Sequence, residues 1–362
     1  MTGSDWVESE TRIRKTYTLG SLTDKNGVIE TRCHVFDDKS RWAIRAAVGS
    51  GRPLLIQGEP GLGKTQFAEA AALALERQLI SVTVDSATET RDLMYTLDVV
   101  SRLARAQMAA VGLAGGSNED ASERKENVKR ELELTNFLQP GPLWWAFAPH
   151  DAVKYAKNSG SELRLQPPAD GLSWPSRVLL IDEIDKAESD VPNALLEALG
   201  SQKFSVPGRS GPVEMEGEPP FVVITTNGER ALPPAFVRRC VVLSLRVPGR
   251  FDREGRNAEF HDWLLSLGRA HFAENQIDND VLGRIADKLL IDRFQAQRKG
   301  SRPLPGLAEF LDLVRAVVSL HRTKAMKDKQ IECIDALRPF VFRKWADADN
   351  EDDSEGSGLN DV

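Results

Sequence analysis

One stretch of eight residues constrains this chain more than any other. Residues 58–65 read Gly-Glu-Pro-Gly-Leu-Gly-Lys-Thr, which fits the pattern Gly-x-x-x-x-Gly-Lys-Ser/Thr at every fixed position. Its glycines let the backbone turn tightly, so that successive N–H groups point at phosphate oxygens. Lys64 adds a compact positive charge for the β- and γ-phosphates, and the Thr65 hydroxyl is a hard oxygen ligand that suits Mg²⁺. The stretch therefore predicts a phosphate-binding loop.

The segments on either side have the structures that such a loop requires. Residues 53–57, Pro-Leu-Leu-Ile-Gln, form a short apolar run that is typical of a buried parallel strand. Residues 66–77 are rich in helix formers and contain neither glycine nor proline. A helix that begins at the loop adds its unpaired N–H groups and its dipole to anion binding. We therefore interpret the motif as functional rather than as a chance match in a glycine-rich turn.

Composition limits the classes of protein to which the chain can belong. Its 362 residues are enough for two or three domains, and 41% hydrophobic residues can fill ordinary cores. The 47 Lys and Arg residues are outnumbered by 54 Asp and Glu residues, which gives a formal net charge of −7. This balance argues against a dedicated duplex-binding surface but leaves a local basic patch open.

The sequence also indicates where the chain resides. Its first residues have neither a basic start nor an apolar core, so they do not form a secretory signal. No window approaches 18 consecutive apolar residues, which excludes a membrane span. The cysteines Cys33, Cys240 and Cys333 are odd in number, far apart and without a metal-ligand spacing. We therefore expect a cytoplasmic protein with reduced thiols.

Further apolar runs predict the rest of a parallel sheet, and two of them end in polar residues. These strands are predicted at residues 79–84, 177–185, 221–227 and 241–247. Asp182 and Glu183 close the third strand of the sheet, at the end where ligands of open α/β sheets collect. Asp182 would hold hydrated Mg²⁺, and Glu183 could orient and deprotonate an attacking water. Asn227 could bind the γ-phosphate or the water, but asparagine is equally a good turn former.

Helix caps and turns mark the segments between the strands. Asp37 and Asp38 precede a predicted helix at 39–48, and Gly49 and Gly51 follow it. Another helix is predicted to begin after Ser189 and Asp190 and to stop at Gly200. Residues 201–219 have the pattern of a hairpin.

A long insertion separates the second predicted strand from the third. Residues 90–111 have a helical pattern, residues 115–131 are charged, and residues 137–147 are apolar and aromatic. This pattern indicates a flexible, charged insertion with an apolar return. The pair Trp144 and Trp145 is either a partner-binding patch or packed core, and such aromatics are more often core.

The fold class predicted by these features is α/β, with a five-stranded parallel sheet that carries helices on both faces and a small all-helical lid domain after it. The lid follows from helical patterns at 257–267, 280–297, 307–320 and 328–345. The predicted divisions are an N-terminal lead-in at 1–35, a core at 36–248 with its insertion at about 86–147, a lid at 249–345, and a disordered acidic tail at 346–362.

The order of these motifs resembles that of AAA+ ATPases, a family of P-loop NTPases. The motifs are the phosphate loop, the strand that ends Leu-Leu-Ile-Asp-Glu-Ile-Asp, the strand that ends Thr-Thr-Asn, and Leu-Pro-Pro-Ala-Phe-Val-Arg-Arg-Cys. The likeness covers about residues 36–320 and is greatest to the MoxR-like branch. That narrower likeness rests on residues 58–65, 86–93 and 137–144.

The resemblance implies roles for the conspicuous residues. Lys64 and Thr65 would belong to Walker A, Asp182 and Glu183 to Walker B, and Asn227 would be sensor 1. The implied cofactors are ATP and Mg²⁺, and the residues implied in nucleotide binding are Gly58, Glu59, Pro60, Gly61, Leu62, Gly63, Lys64, Thr65 and Gln66.

The resemblance also implies two further arginines. Arg239 would be a finger that acts on the nucleotide of a neighbouring subunit, with Arg238 as the less favoured choice. A sensor-2 residue would come from the lid, where Arg302 is our choice and Arg298 or Lys299 would serve as well.

Three functions follow from these expectations. The first is an oligomeric ATPase, in a hexameric ring, that remodels a partner protein together with a von Willebrand factor A protein. The alternative is a nucleic-acid or restriction-type motor that uses ATP or GTP, for which Lys203 and Arg209 in the hairpin supply little basic surface. A nucleotide switch without turnover is disfavoured because both Glu183 and Arg239 are present.

Overall fold

A computed structural model describes residue 13 and residues 15–23, 29–114, 121–169 and 172–344. Within these residues the chain forms two compact units, and each is described by itself. One unit is His34–Leu245 with the residues up to Tyr17, and the other is Arg246 onward with Thr18–Cys33. The described residues among 18–33 therefore group with the helical unit, whereas the sequence predicted a separate lead-in at 1–35. The predicted tail at 346–362 lies outside the described residues.

The strands of the described residues are numbered in chain order. They are β1 (Thr16–Thr23), β2 (Ile29–Val35), β3 (Leu54–Gln57), β4 (Gln78–Thr83), β5 (Tyr95–Leu97), β6 (Leu138–Pro140), β7 (Arg177–Asp182), β8 (Lys203–Phe204), β9 (Val213–Glu214), β10 (Phe221–Thr226) and β11 (Val241–Ser244).

The α-helices of the described residues are numbered in the same way. They are α1 (Asp38–Ser50), α2 (Lys64–Ala74), α3 (Thr90–Met94), α4 (Val99–Ala114), α5 (Ala121–Glu131), α6 (Pro142–Phe147), α7 (Pro149–Ser159), α8 (Asp190–Ser201), α9 (Pro234–Val237), α10 (Ala258–His271), α11 (Asn279–Lys299), α12 (Leu307–Leu320) and α13 (Lys327–Phe342). None of them, in the described part of the chain, has the length and apolar character that a membrane crossing requires.

A five-stranded parallel sheet forms the centre of the first unit. Its order is β11-β3-β10-β7-β4, and every pairing is parallel. The runs of β3, β7 and β10 are apolar and buried because helices cover both faces of such a sheet. The predicted fold class, including the helical region that follows, is confirmed.

Three helix boundaries show how well local signals predicted the ends of helices. The carboxylate of Asp37 accepts a hydrogen bond from the N–H of Ser40 at 2.7 Å, as the predicted cap requires. The end of α1 lies beyond the predicted residue 48, because Gly49 is inside the helix and Gly51 ends it in the left-handed region. The expected stop of α8 at Gly200 is wrong. The helix continues through Ser201 and ends at Gln202, whose φ is 55°.

The insertion contains more regular structure than its sequence suggested. The helical pattern at 90–111 is divided into α3, the short strand β5 and α4, and β5 pairs antiparallel with β6. Gly141 directly follows β6 and packs closely against α3. A Cβ at this position would lie 2.7 Å from the carbonyl oxygen of Leu93. Trp144 and Trp145 are buried in the core, so they do not form a surface patch.

The second unit is a helical bundle, and a buried ion pair in it joins Glu30 to His271 and Arg315. The Nδ1 atom of His271 lies 3.4 Å from Oε1 of Glu30, and Arg315 donates to Oε2 of Glu30 at 2.6 Å. Burial by itself lowers the pKa of His271, but hydrogen bonds with Cys33 and Glu30 raise it to about 9. Burial by itself raises the pKa of Glu30, but hydrogen bonds from His271 and Arg315 lower it to about 2. Both groups are therefore charged at neutral pH.

We predict that this ion pair makes the stability of the protein depend on pH. Because the folded pKa of His271 is raised above its ordinary value of 6.5, its contribution is complete below pH 6.5 and is lost as the pH rises through about 9. Between these limits the free energy of unfolding should fall by up to about 3 kcal/mol more in the wild type than in His271→Gln. Urea unfolding at a series of pH values measures this difference, and parallel profiles for the two proteins would contradict it.

Candidate functional site

The phosphate loop lies between β3 and α2, as its pattern requires. Gly61 and Gly63 have φ values of 78° and 79°, a region in which glycine avoids the strain that a side chain would bring. Gly58 is needed for a different reason, since a Cβ there would lie 2.7 Å from the carbonyl oxygen of Leu245. The three glycines thus fix the loop at the N-terminus of α2, whose first N–H groups have no partner within the helix.

The side chain of Lys64 is the centre of the site. Only 7% of the residue is exposed, and its ammonium group donates to the carbonyl oxygens of Gly58 at 2.7 Å and Glu59 at 2.9 Å. A third bond, 2.6 Å long, goes to Oδ1 of Asn227. Burial lowers the pKa of Lys64, and the carboxylates of Asp182 and its neighbours oppose that shift. The ammonium is therefore held between the loop and the tip of the neighbouring strand β10.

Asp182 lies at the tip of β7, next to the start of α2. Its Oδ2 accepts a hydrogen bond from the hydroxyl of Thr65 at 2.8 Å, and its Oδ1 accepts one from the hydroxyl of Thr225. Among the described residues no group of three or more His, Cys, Asp or Glu could hold a metal ion. One carboxylate and one hydroxyl suit Mg²⁺, which completes its shell with phosphates and water. Thr65 and Asp182 therefore fit the ligand set that the sequence predicted.

Glu183 adopts a strained backbone conformation next to Asp182. Its φ of 61° and ψ of 44° lie in the left-handed region, which is unfavourable for a glutamate and is common at functional sites. Its N–H donates to the hydroxyl of Thr225 at 2.9 Å, which holds the turn. Its carboxylate accepts from Asn227 Nδ2 at 3.2 Å and from Lys186 Nζ at 2.5 Å. The amide of Asn227 thus connects the ammonium of Lys64 to the carboxylate of Glu183.

Sequence reasoning missed Thr225 and two further residues that hold this arrangement. Asp185 is buried, and its carboxylate accepts from the N–H groups of Asn227 at 3.3 Å and Glu229 at 2.9 Å. Lys186 pairs with Glu183, and this hydrogen bond raises the pKa of the lysine. The signal for Asp185 was present in the sequence, because a third acid follows the Asp-Glu pair after one residue.

Arg239 does not join the group around Lys64. It precedes β11, whose first residue Val241 is opposite Leu54, while its last residue Ser244 is opposite Gln57. Arg239 therefore lies at the amino end of the sheet and the phosphate loop at the carboxyl end, which are about 10 Å apart along β3. Arg238 and Arg239 are both exposed, and neither forms an ion pair with any of the described residues.

The candidate lid residues lie in the second unit. Arg302 is exposed in the segment between α11 and α12. Arg298, at the end of α11, has its guanidinium 6.0 Å from the ring centre of Phe294. These residues stay predictions, as does the role of Lys299.

Comparison with known proteins identifies the nucleotide-binding unit. A family model described as AAA domain (dynein-related subfamily) matches residues 53–240, just over half of the chain. That range includes the phosphate loop, the Asp182–Glu183 pair, Asn227 and Arg239. No curated protein matches the sequence significantly.

Similar solved structures include two variants of RuvB from Thermotoga maritima. One is 14% identical to this chain with a TM-score of 0.42, and the other is 15% identical with a TM-score of 0.39. Each alignment covers 83% of this chain and 68% of the RuvB chain.

Proposed function

Because this chain belongs to the AAA family, in its dynein-related subfamily, we propose that it is a cytoplasmic, oligomeric ATPase whose turnover remodels or assembles a partner protein. The observation that carries this proposal is the chain of contacts from Lys64 through Asn227 to Glu183, beside the Thr65–Asp182 contact. A cation, a metal-ligand pair and a base thus meet at adjoining strand tips. Hydrolysis of a nucleoside triphosphate requires these functional groups in one place.

The described residues divide the work of hydrolysis among them. The N–H groups of the loop and the ammonium of Lys64 bind and orient the phosphates. Thr65 and Asp182 would hold Mg²⁺, which neutralises charge on the phosphate oxygens when it is bound. Glu183 accepts a proton from the attacking water, and Asn227 orients the Glu183 carboxylate. Lys186 and Asp185 keep these two side chains in position.

Arg239 completes the site of a neighbouring subunit in this proposal. It lies at the opposite edge of the sheet from the phosphate loop of its own chain, and it is exposed. A guanidinium in that place can reach a phosphate only in another copy of the protein. An arginine finger supplied in this way is worth roughly 10³ or more in rate. We therefore propose a closed ring of subunits, with six as the expected number.

A protein partner suits the surface better than nucleic acid does. The formal net charge is −7, and the hairpin β8–β9 offers little free basic charge. Arg209 of that hairpin pairs with Asp151 at 3.1 Å and donates to the carbonyl oxygen of Gly211 at 2.6 Å. Of the two cationic residues of the hairpin, only Lys203 is exposed. We therefore favour the MoxR-like role, in which a von Willebrand factor A protein is the expected partner.

We predict that Glu183→Gln binds ATP with unchanged affinity but hydrolyses it about 10²–10⁴ times more slowly, because the amide cannot accept the proton of the water. Glu188→Gln is the matched control, since Glu188 is exposed and pairs with Arg230 rather than with the site. Equilibrium binding and steady-state phosphate release measure the two properties. Normal turnover in Glu183→Gln would refute the assignment of the base.

We predict that two inactive variants regain ATP hydrolysis when their subunits are mixed. Lys64→Ala subunits lack a working phosphate site but supply Arg239, whereas Arg239→Ala subunits keep the site and lack the finger. Each variant alone should be inactive when assembled, and mixtures should regain turnover with a maximum near equal amounts. If no mixing ratio gives activity above that of the single variants, Arg239 does not act between subunits.

We predict that neither single-stranded nor duplex DNA stimulates ATP hydrolysis at low salt. When a motor binds the phosphates of nucleic acid, counterions are released, and this release favours binding less as salt rises. The stimulation of ATP hydrolysis by DNA would therefore fall steeply with salt. Turnover measured between about 50 and 200 mM salt, with and without DNA, separates the two functions. Stimulation by DNA that is lost at the higher salt concentration would favour the motor over protein remodelling.

A further inference from the structure

A cavity lies in the sheet-containing unit, at the edge opposite the phosphate loop. Its volume is about 480 Å³, within the range of about 300–1,000 Å³ that is usual for small-molecule sites. It is bordered by the last turns of α1 and α8 and by the first residues of β10. Of the residues assigned to hydrolysis only Arg239 lines it, and nothing in the proposed hydrolysis requires a cavity at this edge.

The walls of this cavity are mainly apolar. Leu196 and Leu199 contribute from α8, Phe221 and Val222 from β10, and Met215 from the segment after β9. Surfaces of this kind gain about 25 cal/mol for each Å² of apolar ligand area that they remove from water. The cavity therefore favours a ligand with an apolar body.

The charged residues in the walls are mostly cationic. They are three arginines, Arg52, Arg77 and Arg239, and one glutamate, Glu218. The guanidinium of Arg77 pairs with Glu218, so these two charges compensate each other. Arg52 and Arg239 are exposed, and neither has an ion-pair partner among the described residues. Two guanidinium groups are thus available to a ligand that carries negative charge.

We propose that this cavity binds an amphipathic anion, a molecule with an aliphatic body and a carboxylate head. The body lies against the side chains of Leu199 and Phe221, and the head lies between the guanidinium groups of Arg52 and Arg239. A cation with the same aliphatic body would bring a like charge to these arginines, so the site selects against it. The site is independent of ATP hydrolysis in its chemistry and shares only Arg239 with it.

Isothermal titration calorimetry of the full chain tests the site with decanoate as the probe. Decanoate should bind, and its affinity should exceed that of octanoate on the order of tenfold, because two more methylenes are buried. Decyltrimethylammonium, with the same chain length and the opposite charge, should not bind. Equal affinity for the two ten-carbon ions would overturn the proposal.

Two pairs of variants locate the binding. Gly200 lines the cavity, and a Cβ there would meet no atom within 4 Å, so Gly200→Leu should fill the cavity without a clash and abolish binding. Gly49→Leu is its control, since Gly49 has the same open space but does not line the cavity. Arg52→Gln should lower the affinity for decanoate by about threefold or more, whereas Arg238→Gln should leave this affinity unchanged.

Several outcomes would overturn the site. Equal affinity of decanoate for Gly200→Leu and Gly49→Leu would place its binding site elsewhere. A second outcome combines two results: decanoate fails to bind the wild type, and Gly200→Leu alters the sedimentation of the protein. The cavity would then be a contact between copies of this chain. Circular dichroism of Gly200→Leu verifies that the fold is kept.

A link to turnover follows if Arg239 also serves the neighbouring subunit, and this step alone rests on the proposed function. Decanoate should then slow ATP hydrolysis in Gly49→Leu and have no effect in Gly200→Leu. Binding in the calorimeter without any effect on turnover would contradict the role of Arg239 as a finger, whereas the absence of binding would contradict the cavity. The two failures are therefore distinguishable.

Discussion

The buried ammonium group of Lys64 is the interaction on which the nucleotide-binding unit depends. Removal of an ammonium from water is costly unless acceptors replace its hydration. Two carbonyl oxygens of the loop and the amide oxygen of Asn227 supply those acceptors, and Asp182, Asp185 and Glu183 supply compensating charge. All of these groups come together because β3, β10 and β7 are adjacent and parallel. The order of strands in the sheet therefore determines the chemistry of the site.

The sequence predicted the parts of the molecule that depend on short-range patterns. The glycine spacing of the loop and the apolar runs of β3, β7 and β10 specify local structure, and the carboxyl ends of parallel strands necessarily share one edge. For this reason the sequence alone predicts that Lys64, Asp182 and Asn227 share one site. The acid cap at Asp37 likewise marked the start of α1, although the helix continues through Gly49 before Gly51 ends it.

Other features were missed because they depend on tertiary contacts. The helical pattern at 90–111 does not reveal that residues 95–97 pair with β6, more than 40 positions away. The buried position of Asp185 and the strained backbone of Glu183 follow from contacts with Asn227 and Thr225. The pairing of Glu30 with His271 joins residues 241 positions apart, so that no local pattern could predict it. The cavity beside Arg52 and Arg239 likewise arises only where separate elements meet.

The two edges of the sheet thus have different roles in this account. The carboxyl edge gathers the groups that are proposed to bind phosphate and metal, and the amino edge carries Arg239. The measurement that tests this most directly is a crystal structure of Glu183→Gln with ATP and Mn²⁺, in which anomalous scattering locates the metal. We expect the metal beside Thr65 and Asp182 and the γ-phosphate beside Lys64. A metal or triphosphate bound away from these residues would contradict the account.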